Sequence, residues 1–177
     1  MRTSIISRER SRICWNTSLI LSLTARKMNR NATRRFALKV CGVEISGSEA
    51  AFAVVTVNDG DLAFIATGTK KLALGDDKDA AGIKAYLQAI KSFAHENNID
   101  AFAIKARAQK GDRRGGAISF KIETLFQLSD CPVLLINPVA LSNFGKKNIA
   151  GVPGGVLKYQ EDAFRCAAYY LQNAGEI

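Results

Sequence analysis

After a polar leader, the spacing of apolar positions predicts three consecutive β-strands. Apolar, β-prone runs cover residues 37–45, 49–57 and 62–74, and runs of this composition between turn-forming residues are typical of strands. The Asp59-Gly60 pair separates the second run from the third, and Asp-Gly is a strong signal for a two-residue hairpin turn. The domain is therefore expected to open with an antiparallel meander.

Helical periodicity follows the meander. Residues 80–97 carry apolar side chains at the spacing of one helix face, after a run of aspartates that are N-cap candidates. Residues 117–129 repeat the helical pattern, and residues 156–173 predict the last helix.

Two short apolar runs lie between the helices, at residues 101–104 and 131–136, and each predicts a buried strand. Asn137-Pro138 is expected to end the second of them, and the glycine-containing segment 142–155 to form a long connection. The resulting order, β-β-β-α-β-α-β-α, predicts an α/β fold in which helices cover a mixed sheet and the first strand lies near its centre.

Glu44 is the candidate functional residue of the first strand. A charge in an otherwise apolar strand is costly unless a cation or a metal accompanies it. Glu44 also lies at the carboxyl end of a central strand, where α/β sheets place ligands. Glu161 and Asp162 of the predicted last helix are the other candidate acids for binding Mg²⁺ or Mn²⁺. Such ions are bound by carboxylates and can activate water for phosphodiester hydrolysis.

The same acids have structural alternatives that stay open. Glu44 can pair with Lys105 or Arg107 of the neighbouring strand as a structural ion pair. Glu161 and Asp162 can be solvated residues of a first helical turn, where the helix dipole favours acids.

A basic, glycine-bearing segment at residues 105–121 is the second candidate site. Glycines let backbone N–H groups turn toward an anion, and a helix N-terminus favours phosphate. The order of residues is not that of a Walker loop. We therefore expect contacts to phosphate or to a nucleic-acid backbone, with a flexible charged loop as the alternative. The candidate residues are Lys105, Arg107, Lys110, Gly111, Arg113, Arg114, Gly115, Gly116 and Lys121.

Charge is distributed unevenly along the chain. Its 177 residues carry a formal charge of +9, yet residues 1–35 hold nine of the 25 Lys and Arg and one of the 16 acids, so 16 basic and 15 acidic residues remain beyond them. We interpret residues 1–35 as a basic leader that is disordered, or whose residues before Met28 lie upstream of the true start, and residues 36–177 as the domain. The alternative is an organelle-targeting peptide.

Several classes of site are excluded by residue counts. His95 is the only histidine and the four cysteines are scattered, which excludes a zinc site and a Cys–His or Ser–His catalytic pair. Unpaired cysteines in apolar runs fit a reducing cytoplasm. The apolar patch at residues 19–23 is too short to cross a membrane, so no membrane partner is expected.

The order of elements, with an acid late in the first strand, resembles the ribonuclease H-like fold of integrases and RuvC-like junction resolvases. That superfamily holds two metal ions with acids on the first strand, the fourth strand and the last helix. The resemblance implies that Glu44, Glu161 and Asp162 form a ligand set for Mg²⁺ or Mn²⁺, with Glu44 and Asp162 as catalytic acids. Residues 161–168 look like the resolvase helix. The fourth strand departs from the pattern, because Lys105-Ala106-Arg107 stands where resolvases carry Glu.

A closer resemblance is to a bacterial family known as domain of unknown function 3010. Residues 39–44, 105–107 and 110–125 carry it, and it extends over residues 37–172. The chain is thus expected to be a ribonuclease H-like protein, either a divalent-metal-dependent nuclease or a non-catalytic module that binds nucleic acid or phosphate. In the module, Lys105 and Arg107 neutralise Glu44. An actin-like phosphate site ranks last, because a second phosphate loop is missing.

Overall fold

The computed structural model describes residues 37–108, 115–149 and 151–177. The leader at residues 1–35 therefore lies outside the described residues.

The first three strands form the expected antiparallel meander. They are β1 (Val40–Ser46), β2 (Glu49–Asn58) and β3 (Asp61–Ile65). Both turn residues between β2 and β3 have left-handed backbone angles, with φ of 54° at Asp59 and 90° at Gly60. These angles match the twist of a tight hairpin, so the turn predicted from the Asp-Gly pair is confirmed.

The third apolar run forms two strands instead of one. After β3, the short strand β4 (Lys71–Ala73) also pairs with β2, alongside residues 49–51, whereas β3 lies alongside residues 54–58. The segment between the two strands is small and polar, with Thr67, Gly68 and Thr69. It interrupts the run because it offers no apolar side chains to the sheet.

Helix α1 (Ala80–Asn97) has the predicted bounds. It begins at Asp79, whose carboxylate accepts hydrogen bonds from the backbone N–H groups of Ala81 and Gly82. It ends at Asn98, which adopts a left-handed φ of 52°. Both ends follow the residue preferences of helix caps.

Two parallel strands complete the sheet. β5 (Ala101–Lys105) pairs in parallel with β1, and β6 (Val133–Ile136) pairs in parallel with β5. Between them, α2 (Ala117–Gln127) makes the crossover. The strand order is β3-β2-β1-β5-β6, with β4 also beside β2, so β1 is central as predicted.

Helix α3 (Pro138–Asn148) occupies much of the segment that was expected to be a connection. The Asn137-Pro138 pair does end β6, but it also begins this helix. The side chain of Asn137 accepts a hydrogen bond from the N–H of Val139 at 2.8 Å, and Pro138 takes the first helical position, where its missing N–H costs nothing.

The last helix, α4 (Glu161–Asn173), begins later than residue 156, after a 3₁₀ turn over Lys158–Gln160. It covers one face of the sheet, while α1 and α2 cover the other. No helix in the described part of the chain combines the length and the apolar character needed to cross a membrane.

Candidate functional site

Helix α4 lies unusually close to β1 because Gly42 leaves room for its backbone. A Cβ atom at Gly42 would collide with the carbonyl group of Ala163 and lie 2.9 Å from the backbone nitrogen of Ala167. Ala163 and Ala167 are themselves small and fully buried. The close approach fixes the first turn of α4 beside the carboxyl end of β1.

Alternation along the strands directs the next residues on this face to the same place. β1 and β5 run in parallel with Gly42 beside Ala103. Since every second side chain of a strand points to the same face, Glu44 and Lys105 follow these two small residues on the α4 side. The Lys105 Nζ lies 3.2 Å from the Glu44 Oε1.

Asp162, in the first turn of α4, completes the Glu44–Lys105–Asp162 cluster. Its Oδ2 accepts a hydrogen bond from the same Lys105 Nζ. Its Oδ1 accepts a hydrogen bond from Arg165 Nη1 at 2.7 Å, and Arg165 Nη2 lies 3.2 Å from Glu161 Oε2. Three carboxylates and two cations thus form one chain of ion pairs.

The cluster shifts the pKa of each of its members. Burial raises the pKa of Glu44, and the Lys105 charge offsets only part of that rise. Burial also acts on Asp162, but the hydrogen bond and charge of Lys105, with those of Arg165, outweigh it and lower the pKa of Asp162. Burial opposes the charge of Lys105, yet its hydrogen bond to Asp162 and the charge of Glu44 raise the pKa of the ammonium.

A cleft of about 640 Å³ opens beside this cluster at the carboxyl edge of β5. The sheet side contributes the ends of β5 and the residues after it, and one face of α3 contributes the opposite wall. The charged residues that line the cleft are four cations and one carboxylate: Lys105, Arg107, Lys146, Arg165 and Asp162.

The two cations that were alternative partners of Glu44 have different roles. Lys105 makes the ion pair with Glu44. The guanidinium of Arg107 donates a hydrogen bond through Nη1 to the backbone carbonyl of Ile45 at 2.6 Å, and its backbone N–H donates to Glu123 Oε2 at 3.1 Å. Arg107 therefore links the ends of β5, β1 and α2.

The rest of the basic segment divides between described and undescribed residues. Lys110, Gly111, Arg113 and Arg114 lie outside the described residues. Gly115 closes the segment, because its N–H donates to the carbonyl of Ala108 at 2.8 Å. A Cβ at Gly115 would come within 3.0 Å of the Arg107 Cβ.

Gly116 and Lys121 belong to helix α2. Gly116 is its N-cap residue and carries no side chain to cover the first N–H groups. Lys121 is absent from the cleft lining, and its Nζ lies 2.6 Å from Asp77 Oδ2. That hydrogen bond lowers the pKa of Asp77. A phosphate role for Lys121 stays a prediction.

Two residues of the site, Arg165 and Lys146, were not predicted from the sequence. Arg165 holds Asp162 and Glu161, and it lies across Gly145 of α3, where a Cβ would come within 3.3 Å of the Arg165 Cδ. Lys146, in the segment that was expected to form a long connection, lines the cleft. An arginine three and four residues after two acids on one helix is a recognisable pairing signal, but Lys146 depends on the unexpected helix α3.

The residues around Glu44 can be tested for their fit to a divalent metal. Carboxylate oxygens are suitable ligands for Mg²⁺ or Mn²⁺, but a lysine ammonium cannot ligate a metal and lies between Glu44 and Asp162. Within residues 37–108, 115–149 and 151–177, no group of three or more acidic, His or Cys side chains is placed to hold a metal ion. This arrangement does not fit a two-metal centre while Lys105 keeps its position. The metal roles of Glu44, Glu161 and Asp162 stay predictions.

The central parallel and antiparallel strands, the acid late in β1 and the helix packed on that strand define a ribonuclease H-like fold. A Thermus thermophilus RuvC structure is similar, with a TM-score of 0.55 and 12% identity over 78% of this chain and 97% of that chain. RuvC from the same organism in complex with a Holliday junction substrate gives a TM-score of 0.54 at 12% identity, over 77% and 96%. Fowlpox virus resolvase with Holliday junction DNA gives 0.46 at 14%, over 77% and 99%. At 12% identity, the two RuvC structures establish the fold alone.

The chain belongs to the family described as Protein of unknown function (DUF3010), which matches residues 38–170. Both resemblances drawn from the sequence, to this family and to the ribonuclease H-like fold, are confirmed. Among curated proteins, none matches the chain significantly.

Proposed function

We propose that this domain is a non-catalytic module that binds the phosphate backbone of nucleic acid in the cleft. The observation that carries the proposal is the charge of the cleft, which is lined by four cations and a single carboxylate. Residues 36–177 as a whole are nearly balanced, with 16 basic and 15 acidic residues. Lys105 and Arg165 are paired with acids of the cluster, so Arg107 and Lys146 carry the positive charge that favours a polyanionic ligand.

The undescribed segment at residues 109–114 adds to this charge in sequence. It follows Ala108, which lines the cleft, and rejoins the described chain at Gly115, whose N–H is bonded to Ala108. The segment contains Lys110, Arg113 and Arg114, and its one acid is Asp112. We infer that Lys110, Gly111, Arg113 and Arg114 act with the cleft on one ligand, together with the N–H group of Gly116 at the start of α2.

Nucleic acid is preferred over a small phosphate ester because of the fold. The similar RuvC from Thermus thermophilus is described in complex with a Holliday junction substrate. A duplex presents phosphates at regular spacing, so several cations along one cleft can each contact a different phosphate. The cytoplasmic location inferred from the cysteines stays a prediction.

A second candidate function is a divalent-metal-dependent nuclease. One observation favours it: carboxylates from β1 and α4, Glu44 and Asp162, converge on a single cation. In such an enzyme Glu44 and Asp162, with Glu161 beside them, would hold Mg²⁺ or Mn²⁺ for hydrolysis of a phosphodiester. We rank this function second because Lys105 would first have to leave, and Arg165 would have to release Glu161.

The test is equilibrium binding of the full chain to a four-way DNA junction, single-stranded DNA and an RNA–DNA hybrid. Fluorescence anisotropy over a range of salt concentrations gives the affinity and its salt dependence. Lys146→Glu reverses an exposed charge that lines the cleft. Lys84→Glu reverses an exposed charge on α1, at the opposite face of the sheet, and is the matched control.

We expect Lys146→Glu to weaken binding about tenfold and to reduce the slope of log affinity against log salt by about 1. Lys84→Glu should change the affinity less than about twofold, because its charge lies away from the cleft. Equal losses in the two variants, or no binding by the unsubstituted chain, would contradict the proposal.

A further inference from the structure

We propose that the Lys105 ammonium is a built-in cation that takes the position of a divalent metal and keeps the metal out. This inference concerns metal binding and does not depend on whether nucleic acid binds in the cleft. The fold implies a divalent metal beside Glu44, but the residues that surround Glu44 do not fit one.

The ammonium of Lys105 lies where two carboxylates meet. Glu44 on β1 and Asp162 on α4 each direct one oxygen at the same Nζ atom. All three side chains are about three-quarters buried, with exposed fractions of 25%, 28% and 25%. Two largely buried carboxylates from separate elements share one cation, which is the role that a metal has in a carboxylate site.

Lys105 is part of the chain, so its ammonium is tethered to the site. The ammonium reaches this point from β5, the strand beside β1, so it is present whenever the sheet is folded. It is a strong donor with three N–H bonds and no lone pair. A dication can therefore reach the two carboxylates only against the charge of Lys105, or after Lys105 has been displaced.

Arg165 provides a second positive charge at the cluster. Its guanidinium holds the second oxygen of Asp162 at 2.7 Å and also contacts Glu161. Both oxygens of Asp162 are thus engaged by cations before any metal arrives. Lys105 and Arg165 thus supply two positive charges to the three carboxylates within the chain itself, so the site has less electrostatic reason to recruit a divalent ion.

The test is a titration of the full chain with MnCl₂ and with MgCl₂. Calorimetry measures the affinity for each ion, and the thermal unfolding temperature measures the stabilisation that the ion gives. Lys105→Glu replaces the resident cation with a third carboxylate beside Glu44 and Asp162. Lys91→Glu is the matched control, because Lys91 pairs with Asp130 on the surface and has no part in the cleft.

We expect Lys105→Glu to bind Mn²⁺ at least about tenfold more tightly than the unsubstituted chain and to unfold at a higher temperature when Mn²⁺ is present. The unsubstituted chain and Lys91→Glu should show no such rise. Adding Glu44→Gln to Lys105→Glu should abolish the gain, because it removes one of the ligands.

Lys105→Gln is a second variant for the case that Lys105→Glu misfolds, because it removes the charge without adding a third acid. It should also gain Mn²⁺ affinity, by a smaller factor. The proposal is overturned if the unsubstituted chain binds Mn²⁺ as tightly as Lys105→Glu, or if both variants keep the native circular dichroism spectrum and neither gains affinity.

Discussion

The two faces of the central strand β1 are built in different ways. The face toward α1 and α2 is filled with large side chains, among them the rings of Phe52, Phe102 and Phe126. The rings of Phe102 and Phe126 meet edge to face, with 5.1 Å between their centroids. The face toward α4 is lined instead by small residues such as Gly42 and Ala163, and the helix backbone itself approaches the strand.

This difference separates stability from positioning. Bulky packing stabilises the domain by removing apolar surface from water. Close backbone approach removes less surface, but it sets the distance between strand and helix, and that distance decides whether Asp162 and Glu44 reach one ammonium. The residues of the site lie close in sequence to the small residues: Glu44 is two positions after Gly42, and Asp162 directly precedes Ala163.

The largest effect is expected from a substitution that disrupts only the face toward α1 and α2. Phe126→Ala leaves a cavity beneath α2 at a fully buried position and should lower the free energy of unfolding by about 4 kcal/mol. Denaturant titration measures the loss. Nucleic-acid affinity of the folded protein should stay within about twofold of the original, because the cleft lies on the other face. A loss of affinity at full folding would show that the two faces are coupled.

The next largest effect is expected from a substitution on the face toward α4. Gly42→Ala places a methyl group against the backbone of Ala163 and Ala167, so α4 must move outward, at a cost of about 3 kcal/mol in the free energy of unfolding. Here nucleic-acid binding should weaken as well, because Asp162 and Arg165 move with the helix. Gly68→Ala is the control, since a Cβ at Gly68 meets no atom within 4 Å. Unchanged stability in Gly42→Ala would contradict the close approach of α4.

A smaller effect tests the cluster itself. Lys105→Ala leaves Glu44 half-buried without its cation and should cost about 2 kcal/mol of unfolding free energy. Glu44→Gln in the same chain should recover part of that loss, because it removes the unpaired charge. Denaturant titrations of the two single variants and the double variant give the coupling energy between the residues. A coupling energy near zero would mean that the ion pair contributes nothing.

The smallest effect concerns pH and distinguishes the two acids. The pKa of Glu44 is raised above the ordinary 4.5 by burial, so its ionisation costs stability as pH rises from about 4.5 through the folded pKa. The pKa of Asp162 is lowered below the ordinary 3.8, with Lys105 and Arg165 outweighing burial. Its stabilisation is present above about 3.8 and is lost as pH falls through the folded pKa.

Glu44→Gln should therefore gain stability relative to the unsubstituted chain as pH rises from 4 to 7, by about 1 kcal/mol. Asp162→Asn should keep a nearly constant deficit over the same range, and this deficit should shrink only below about pH 3.8, as pH falls through the folded pKa of Asp162. Denaturant titrations at successive pH values check both slopes. Parallel pH profiles for the two variants would contradict the opposite shifts of the pKa values.

The sequence predicts local structure best where periodicity and end signals agree. Helix α1 is such a case, since an apolar stripe lies between Asp79 and Asn98 and both cap residues act as expected. Helix α3 was missed because Asn137-Pro138 signals both the end of a strand and the start of a helix. The weak apolar stripe beyond it did not decide between them, since Val139 on that helix is 68% exposed.

The candidate site was predictable only in part for a related reason. A charge in the apolar strand β1 shows that Glu44 needs a partner, and the sequence reduces the choice to a metal, Lys105 or Arg107. The choice itself depends on the register of β1 against β5, which places Lys105 on the same face as Glu44. The role of Gly42 depends on contacts between residues more than a hundred positions apart in the chain, and no local pattern carries that information.

The most direct test of the central claim is binding and cleavage of a labelled four-way DNA junction by the full chain, with a chelator and with Mn²⁺. The account predicts equal affinity in the two conditions and intact DNA after long incubation, because Lys105 supplies the positive charge between Glu44 and Asp162. Cleavage that requires Mn²⁺ and disappears in Glu44→Gln would contradict it, and would show that the two carboxylates serve a metal.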